Sequence, residues 1–223
     1  IECMERGGRN VVIAPEYGAP RPKADYWMPI RPATDAALWL GITRLMMDNK
    51  WYEESFVKQF TDFPLLVRTD TLTRLRAEEV FANYKSDLSK GGASYKVQGL
   101  TEEQHGKLGD RVVWDAKTNK PVALTRDDVG KRMAAKGIDP ALEGAWKIKL
   151  VNGTEVEVMP LWALYQVHLK DYDLDTVAEI THAPKAMIEK LARDIWETTK
   201  GGGPVAIHQG EGINHWFHAT EAN

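Results

Sequence analysis

The sequence predicts an α/β fold: a parallel-sheet segment built from the two ends of the chain, with a small antiparallel β insertion between them. Three observations predict it. A continuous apolar run, Val11 to Ala14, is closed by Pro15, the pattern of a strand buried on both faces. A helical apolar stripe follows it, and a second returns near the end of the chain after Pro184. Between them, residues 111–160 alternate apolar and charged side chains at period two, as half-buried antiparallel strands do.

The strand at 11–14 leads into a proline-rich loop (Pro15, Pro20, Pro22) and a second short apolar run, Tyr26 to Ile30. Thr34 and Asp35 then precede a helix in which Leu38, Ile42, Leu45 and Met46 share one face. Thr34 is placed to cap it, and Asp35 complements the helix dipole in the first turn. "WYEESFVKQFTDF" predicts a second amphipathic helix, with Tyr52, Phe56 and Phe60 in register and Glu54 placed to pair with Lys58. From Thr71 to Asp110 no period is dependable, and no element is predicted.

"RVVWDAKTNKPVAL" predicts a hairpin turning around Asp115 to Lys120. In "WKIKLVNGTEVEV" two signals compete over register. A two-residue Asn152-Gly153 turn sets Leu150 opposite Glu155, whereas a longer loop is expected to set Leu150 opposite Val156 and Lys149 opposite Glu157. Matching of faces favours the longer loop, because a one-residue slip moves a whole apolar set into water. Helices then return at Leu161 to Leu169, at Asp175 to Ile180, and after Pro184, where Met187, Ile188, Leu191, Ala192 and Ile195 form the buried stripe. Gly201-Gly202-Gly203 ends that helix, and a strand from Val205 to Ile207 is expected to follow.

A length of 223 residues suits one large or two small domains, divided here as an α/β segment 1–70, a variable insertion with β-hairpins 71–160, and a helical return 161–223 ending in a glycine loop. A net charge of −3 offers no positive field for nucleic acid, and no apolar run reaches the roughly 18 residues of a membrane span. Cys3, the single cysteine, cannot form an internal disulfide or by itself hold an iron–sulfur cluster or zinc. The chain starts at Ile1 without a secretory pattern and stops soon after a glycine-rich turn, so it reads as an interior piece of something larger.

Two stretches carry candidate chemistry. In "APEYG" with "RPATDAA", a loop after a buried strand and a helix N-terminus together suit a nucleotide, and Asp35 is suited to accept from the N1–H and N2–H2 edge of a guanine. On spacing alone the same residues read more readily as an ordinary helix cap, and neither GxGxxG nor GxxxxGK[ST] is present. In "VAIHQGEGINHWFH", His208, His215 and His218 with Glu211 suggest a metal. No HExxH or comparable ligand set exists, however, and no metal ligand is assigned. Gly210 and Gly212 remove side chains where a bulky ligand needs to approach backbone, or else form a plain glycine-rich turn. Most of the tryptophans stand at core-like positions; only Trp216 is placed to face a ligand.

Together the two stretches resemble a family. "KADYWMPIRPATDAAL" is similar to the "ADxWLPIRPGTDAAL" pattern of the molybdenum bis(molybdopterin guanine dinucleotide) oxidoreductases, the dimethyl sulfoxide reductase superfamily. "FTDFPLLV" and "VAIHQGEGINHWFH" resemble segments of its nitrate reductase and nitrite oxidoreductase branch, in the same order and at similar separation. The similarity covers the first 70 or so residues and the last 60 or so, with a weaker middle.

The resemblance implies an internal, dinucleotide-binding segment of a catalytic subunit that performs oxygen-atom transfer on a small substrate such as nitrate or nitrite, not active alone. It implies that Pro15, Glu16, Tyr17, Pro32, Thr34 and Asp35 hold the guanosine end of one pterin dinucleotide. Gly210, Glu211 and Gly212 would lie against the pterin, with Asn214 and His215 facing the substrate channel as catalytic residues. It further implies an iron–sulfur cluster outside these residues, an iron–sulfur electron-transfer subunit and the remainder of the catalytic subunit as partners, and a periplasmic or membrane-associated complex. One departure is Ala33, where the pattern has glycine: either the glycine serves close approach rather than torsion, or this loop differs. The competing reading is a non-catalytic α/β scaffold or binding module that holds no cofactor. A small zinc hydrolase using the three histidines is a weaker third.

Overall fold

The computed structural model describes residues 2–16, 18, 21–85, 109–210 and 213. In chain order its elements are α1 (Glu2–Glu5), β1 (Val11–Ile13), β2 (Tyr26–Met28), α2 (Asp35–Asp48), α3 (Glu54–Phe60), β3 (Leu66–Arg68) and α4 (Ala77–Val80). There follow β4 (Arg111–Asp115), β5 (Lys120–Leu124), α5 (Lys131–Lys136), β6 (Trp146–Lys149) and β7 (Glu155–Pro160), then α6 (Leu161–His168), α7 (Leu174–Thr181) and α8 (Lys185–Thr199). The architecture is mixed α/β, and packing parts it into two units: residues 1–52 with 168–223, and residues 53–167.

In the first unit β1 and β2 pair in parallel, Val11 opposite Tyr26 and Ile13 opposite Met28. The helix stripes read from the sequence bury against them: Leu38 and Ile42 of α2, and Ile188, Leu191 and Ala192 of α8, join Met28 and Val177 in one core. Gly41 lets α2 and α7 meet closely, since a Cβ there would lie 2.5 Å from Val177 Cγ2. Asp173 caps α7, accepting from the amides of Asp175 and Thr176 at 3.0 and 2.9 Å. Pro184 stands at the N-cap of α8 rather than inside its first turn, one position from expectation.

Two expectations are corrected in this unit. Thr34 occupies the N-cap position of α2 but does not cap it with its side chain; its hydroxyl donates instead to Arg31 O at 2.6 Å, closing the loop that precedes the helix. Val205 to Ile207 is not a strand. No described strand offers it a ladder, and Val205 and Ile207 stand exposed.

The second unit holds an antiparallel sheet of order β3-β7-β6 and the separate β4-β5 hairpin. β4 pairs β5 with Asp115 opposite Lys120, where the sequence placed the turn. Asp115 closes that turn: it accepts from Lys117 N at 3.2 Å, Thr118 Oγ1 at 2.7 Å and Asp139 N at 2.9 Å. The second hairpin keeps the expected faces but not the expected partners. Ile148, not Leu150, lies opposite Val156, while Lys147 faces Glu157 and Lys149 faces Glu155. A loop of Val151, Asn152 and Gly153 produces this register: Gly153 takes φ +87°, and Asn152 Oδ1 accepts from Thr154 N at 3.0 Å.

The aromatic stripe expected of α3 is also corrected. Val57 is its buried residue, whereas Phe56 and Phe60 are more than half exposed and stack on each other with centroids 5.1 Å apart. The Glu54–Lys58 pair forms at 2.8 Å, and Lys58 also reaches Asp139 at 2.9 Å. Short α4 falls inside the stretch for which the sequence predicted nothing.

Candidate cofactor site

Beside the parallel strands the first unit opens a cavity of about 410 Å3. Its apolar walls come from β1 (Val11, Ile13), from α2 through Trp39 and from α8 through Leu191 and Ile195. Its rim is formed by the loop after β1, by the turn before α2 and by the extended segment 205–210. The volume lies within the roughly 300–1,000 Å3 of small-molecule and cofactor sites.

Hydrogen bonds hold two of these rims in place. The loop after β1 is tied to β2 by Ala14 N to Met28 O at 3.2 Å and by Trp27 Nε1 to Ala14 O at 2.9 Å, which sets Pro15 at the mouth. The turn before α2 is anchored by Arg31 N, which donates 2.7 Å to Thr181 O at the end of α7. Thr181 is wholly buried, its hydroxyl donating to Val177 O at 2.7 Å and accepting from Ala183 N at 3.1 Å. Ala33 then takes φ +64°, the left-handed conformation that a Cβ disfavours. The alanine thus holds, under strain, a torsion that glycine would adopt freely.

This geometry gathers Pro15, Pro32, Asp35 and Gly210, together with His208, on one cavity. Asp35 has no hydrogen-bond or ion-pair partner among the described residues and supplies a free carboxylate on a largely apolar wall. A Cβ added at Gly210 would meet nothing within 4 Å, so the space before that glycine is open. Glu16 is exposed and Thr34 is turned to Arg31, and neither is among the cavity's lining residues. Tyr17, Glu211, Gly212, Asn214 and His215, like Trp216 and His218, lie outside the described residues.

Sequence reasoning missed Trp39, which it read as a core residue. The signal was available: Trp39 follows Asp35 by four positions and so shares its helix face. An acceptor carboxylate one turn from a flat indole is an arrangement that can hydrogen-bond the edge of a planar base while covering its face. Among the described residues no group of histidine, cysteine, aspartate and glutamate could hold a metal ion, and no helix is long and apolar enough to cross a membrane.

No protein-family profile matches the chain. Curated relatives do. The perchlorate reductase alpha subunit of Dechloromonas aromatica is 30% identical over 98% of this chain and 23% of its own length. The respiratory nitrate reductase alpha subunit of Haloferax mediterranei is 29% identical over 100% of this chain and 21% of its own. The dimethylsulfide dehydrogenase alpha subunit of Rhodovulum sulfidophilum is 30% identical over 70% and 15%. The chain thus spans less than a quarter of the length of these relatives. Alignment along nearly the whole of this chain, with the cavity-forming motifs in their expected order, gives the conclusion that the chain belongs to the molybdopterin oxidoreductases of the dimethyl sulfoxide reductase superfamily.

Proposed function

We propose that this chain forms part of the catalytic subunit of a molybdenum oxidoreductase and that its cavity grips the guanosine end of a molybdopterin guanine dinucleotide. The observation that carries the reading is the unpartnered Asp35 carboxylate beside Trp39, on a cavity walled by residues from both ends of the chain. When bound, the metal supplies oxygen-atom transfer and two-electron redox chemistry to a small substrate such as nitrate or nitrite. The protein holds and orients. Asp35 accepts from the guanine N1–H and N2–H2, Pro15 and Pro32 give the mouth rigid edges, and the bare Cα of Gly210 leaves room for a bulky group.

Glu16, Tyr17, Thr34, Glu211 and Gly212 complete the proposed cofactor-binding set, and Asn214 and His215 the proposed channel-facing pair, all on the strength of the motif resemblance. In this reading 1–70 and 161–223 serve the cofactor, 71–160 is the variable insertion, and an iron–sulfur subunit takes up or delivers the electrons.

The test uses the intact enzyme. Asp35→Ala is expected to lower bound molybdenum and acid-released guanosine monophosphate, with cofactor affinity weakened about tenfold or more, as for loss of a charge-assisted hydrogen-bonded pair. His215→Ala is expected to keep the cofactor and lose turnover. Normal cofactor content and rate in both variants would sink the reading.

A further inference from the structure

We propose that the unit of residues 53–167 carries a binding site for hydrogen phosphate or a like hydroxyl-bearing oxyanion, held by Arg74, Arg111, Arg126 and Asp110 around a cavity of about 220 Å3. The guanidiniums come from separate places in the fold: Arg74 lies beyond β3, Arg111 opens β4 and Arg126 follows β5. At the centre is Arg111. Its Nη1 is buried and has no hydrogen-bond partner among the described residues. A guanidinium offers five donors in a planar fork that matches an oxyanion, and a buried donor without an acceptor is costly.

Charges of its own sign surround that donor. Burial first, and then the guanidiniums of Arg76, Arg74 and Arg126, push the Arg111 pKa down, with Glu78 opposing. Each carboxylate of the cavity has one oxygen engaged, that of Asp62 by Arg74 itself. Asp62 binds Arg74 at 2.6 Å, and Asp128 binds Lys136 at 2.5 Å and the Thr125 amide at 2.7 Å. Asp110 accepts from the Tyr84 hydroxyl at 2.6 Å through Oδ2.

The other, buried oxygen of Asp110 selects the anion. Asp110 Oδ1 is buried without a donor, next along the chain to the arginine whose Nη1 lacks an acceptor. A bare oxyanion such as sulfate satisfies Arg111 but repels Asp110. A hydrogen phosphate does both jobs, accepting from Arg111 through an oxygen and donating its own hydroxyl to Asp110. The small volume suits a free ion rather than a macromolecular partner.

Calorimetric titration of the full chain with inorganic phosphate and with sulfate, at matched ionic strength, tests this. Saturable phosphate binding is expected, with sulfate weaker by about tenfold, the scale of one charge-assisted hydrogen bond gained or lost. Exposed Arg126→Gln weakens phosphate, and Asp110→Asn, whose amide can donate, erases the preference over sulfate. Should that buried variant not fold, the wild-type comparison and Arg126→Gln decide. No saturable phosphate binding, equal affinity for sulfate, or unchanged affinity in Arg126→Gln would each overturn the proposal.

Discussion

Ala33 shows what one residue can store. Its φ of +64° places a Cβ where the following carbonyl crowds it, at a cost of about 1–2 kcal/mol for an L-residue. The loop holds it there because Arg31 is bonded on both sides, its amide to Thr181 O and its carbonyl to the Thr34 hydroxyl. Replacing it by glycine relieves the strain but enlarges the entropy of the unfolded chain. Ala33→Gly is therefore expected to stabilise the protein by about 0.5–1 kcal/mol, read as a higher denaturation midpoint in urea at unchanged slope. A lower midpoint would show that the turn is not strained.

At the scale of elements, Gly41 makes the sharpest case. A Cβ there meets the β-branched Val177, whose stiff χ1 leaves it little room to yield. Overpacking costs about 1–3 kcal/mol, and alanine recovers up to about 1 kcal/mol of helix propensity. Gly41→Ala is expected to be destabilising by about 1–2 kcal/mol net, measured by thermal unfolding; an unchanged or raised Tm would contradict the close approach of α2 and α7. Elements of this kind were legible in the sequence where burial and period agree, as in Leu38, Ile42, Ile188 and Leu191. They were not where a local choice lay with the backbone. The three-residue loop at Val151 to Gly153 moved every pair of β6 and β7 by two positions while preserving the faces, which alternation alone cannot distinguish. Phe56 and Phe60 satisfied a helical period but stack in solvent, because period reports a shared face and not which face is covered. Likewise an apolar run at 205–207 states readiness to pair, and pairing needs a neighbour. For the site, the motifs located Pro15, Pro32, Asp35 and Gly210 on one cavity, while Trp39 was hidden by its resemblance to a core residue.

Across the whole molecule, carboxylates set the response to acid. Burial on its own raises Asp194, but hydrogen bonds from Lys190, Arg9 and Tyr26 outweigh it and hold the group below its usual range. Asp173 is held low by the Thr176 amide and hydroxyl, and in the second unit Asp115 is held low by Thr118 and the amides around it, against the effect of burial. A folded pKa below the unfolded one means stability that is fully present above the unfolded value of about 4 and lost as pH falls through the folded value. Acid titration of stability is thus expected to fall below about pH 4, with a shallower fall in Asp194→Asn. An identical acid limb in that variant would exclude Asp194 as a contributor.

The bond from Arg31 N to Thr181 O has a kinetic meaning too. By position Arg31 is a loop residue, and loops open at little cost, but by partner its amide belongs to the end of α7. Freeing it strips the carbonyl of Thr181, a wholly buried residue at the end of that helix, of its acceptor role. The turn that presents Asp35 to the cavity is therefore expected to open only when the end of α7 opens, so that a ligand meeting it finds an edge already in place.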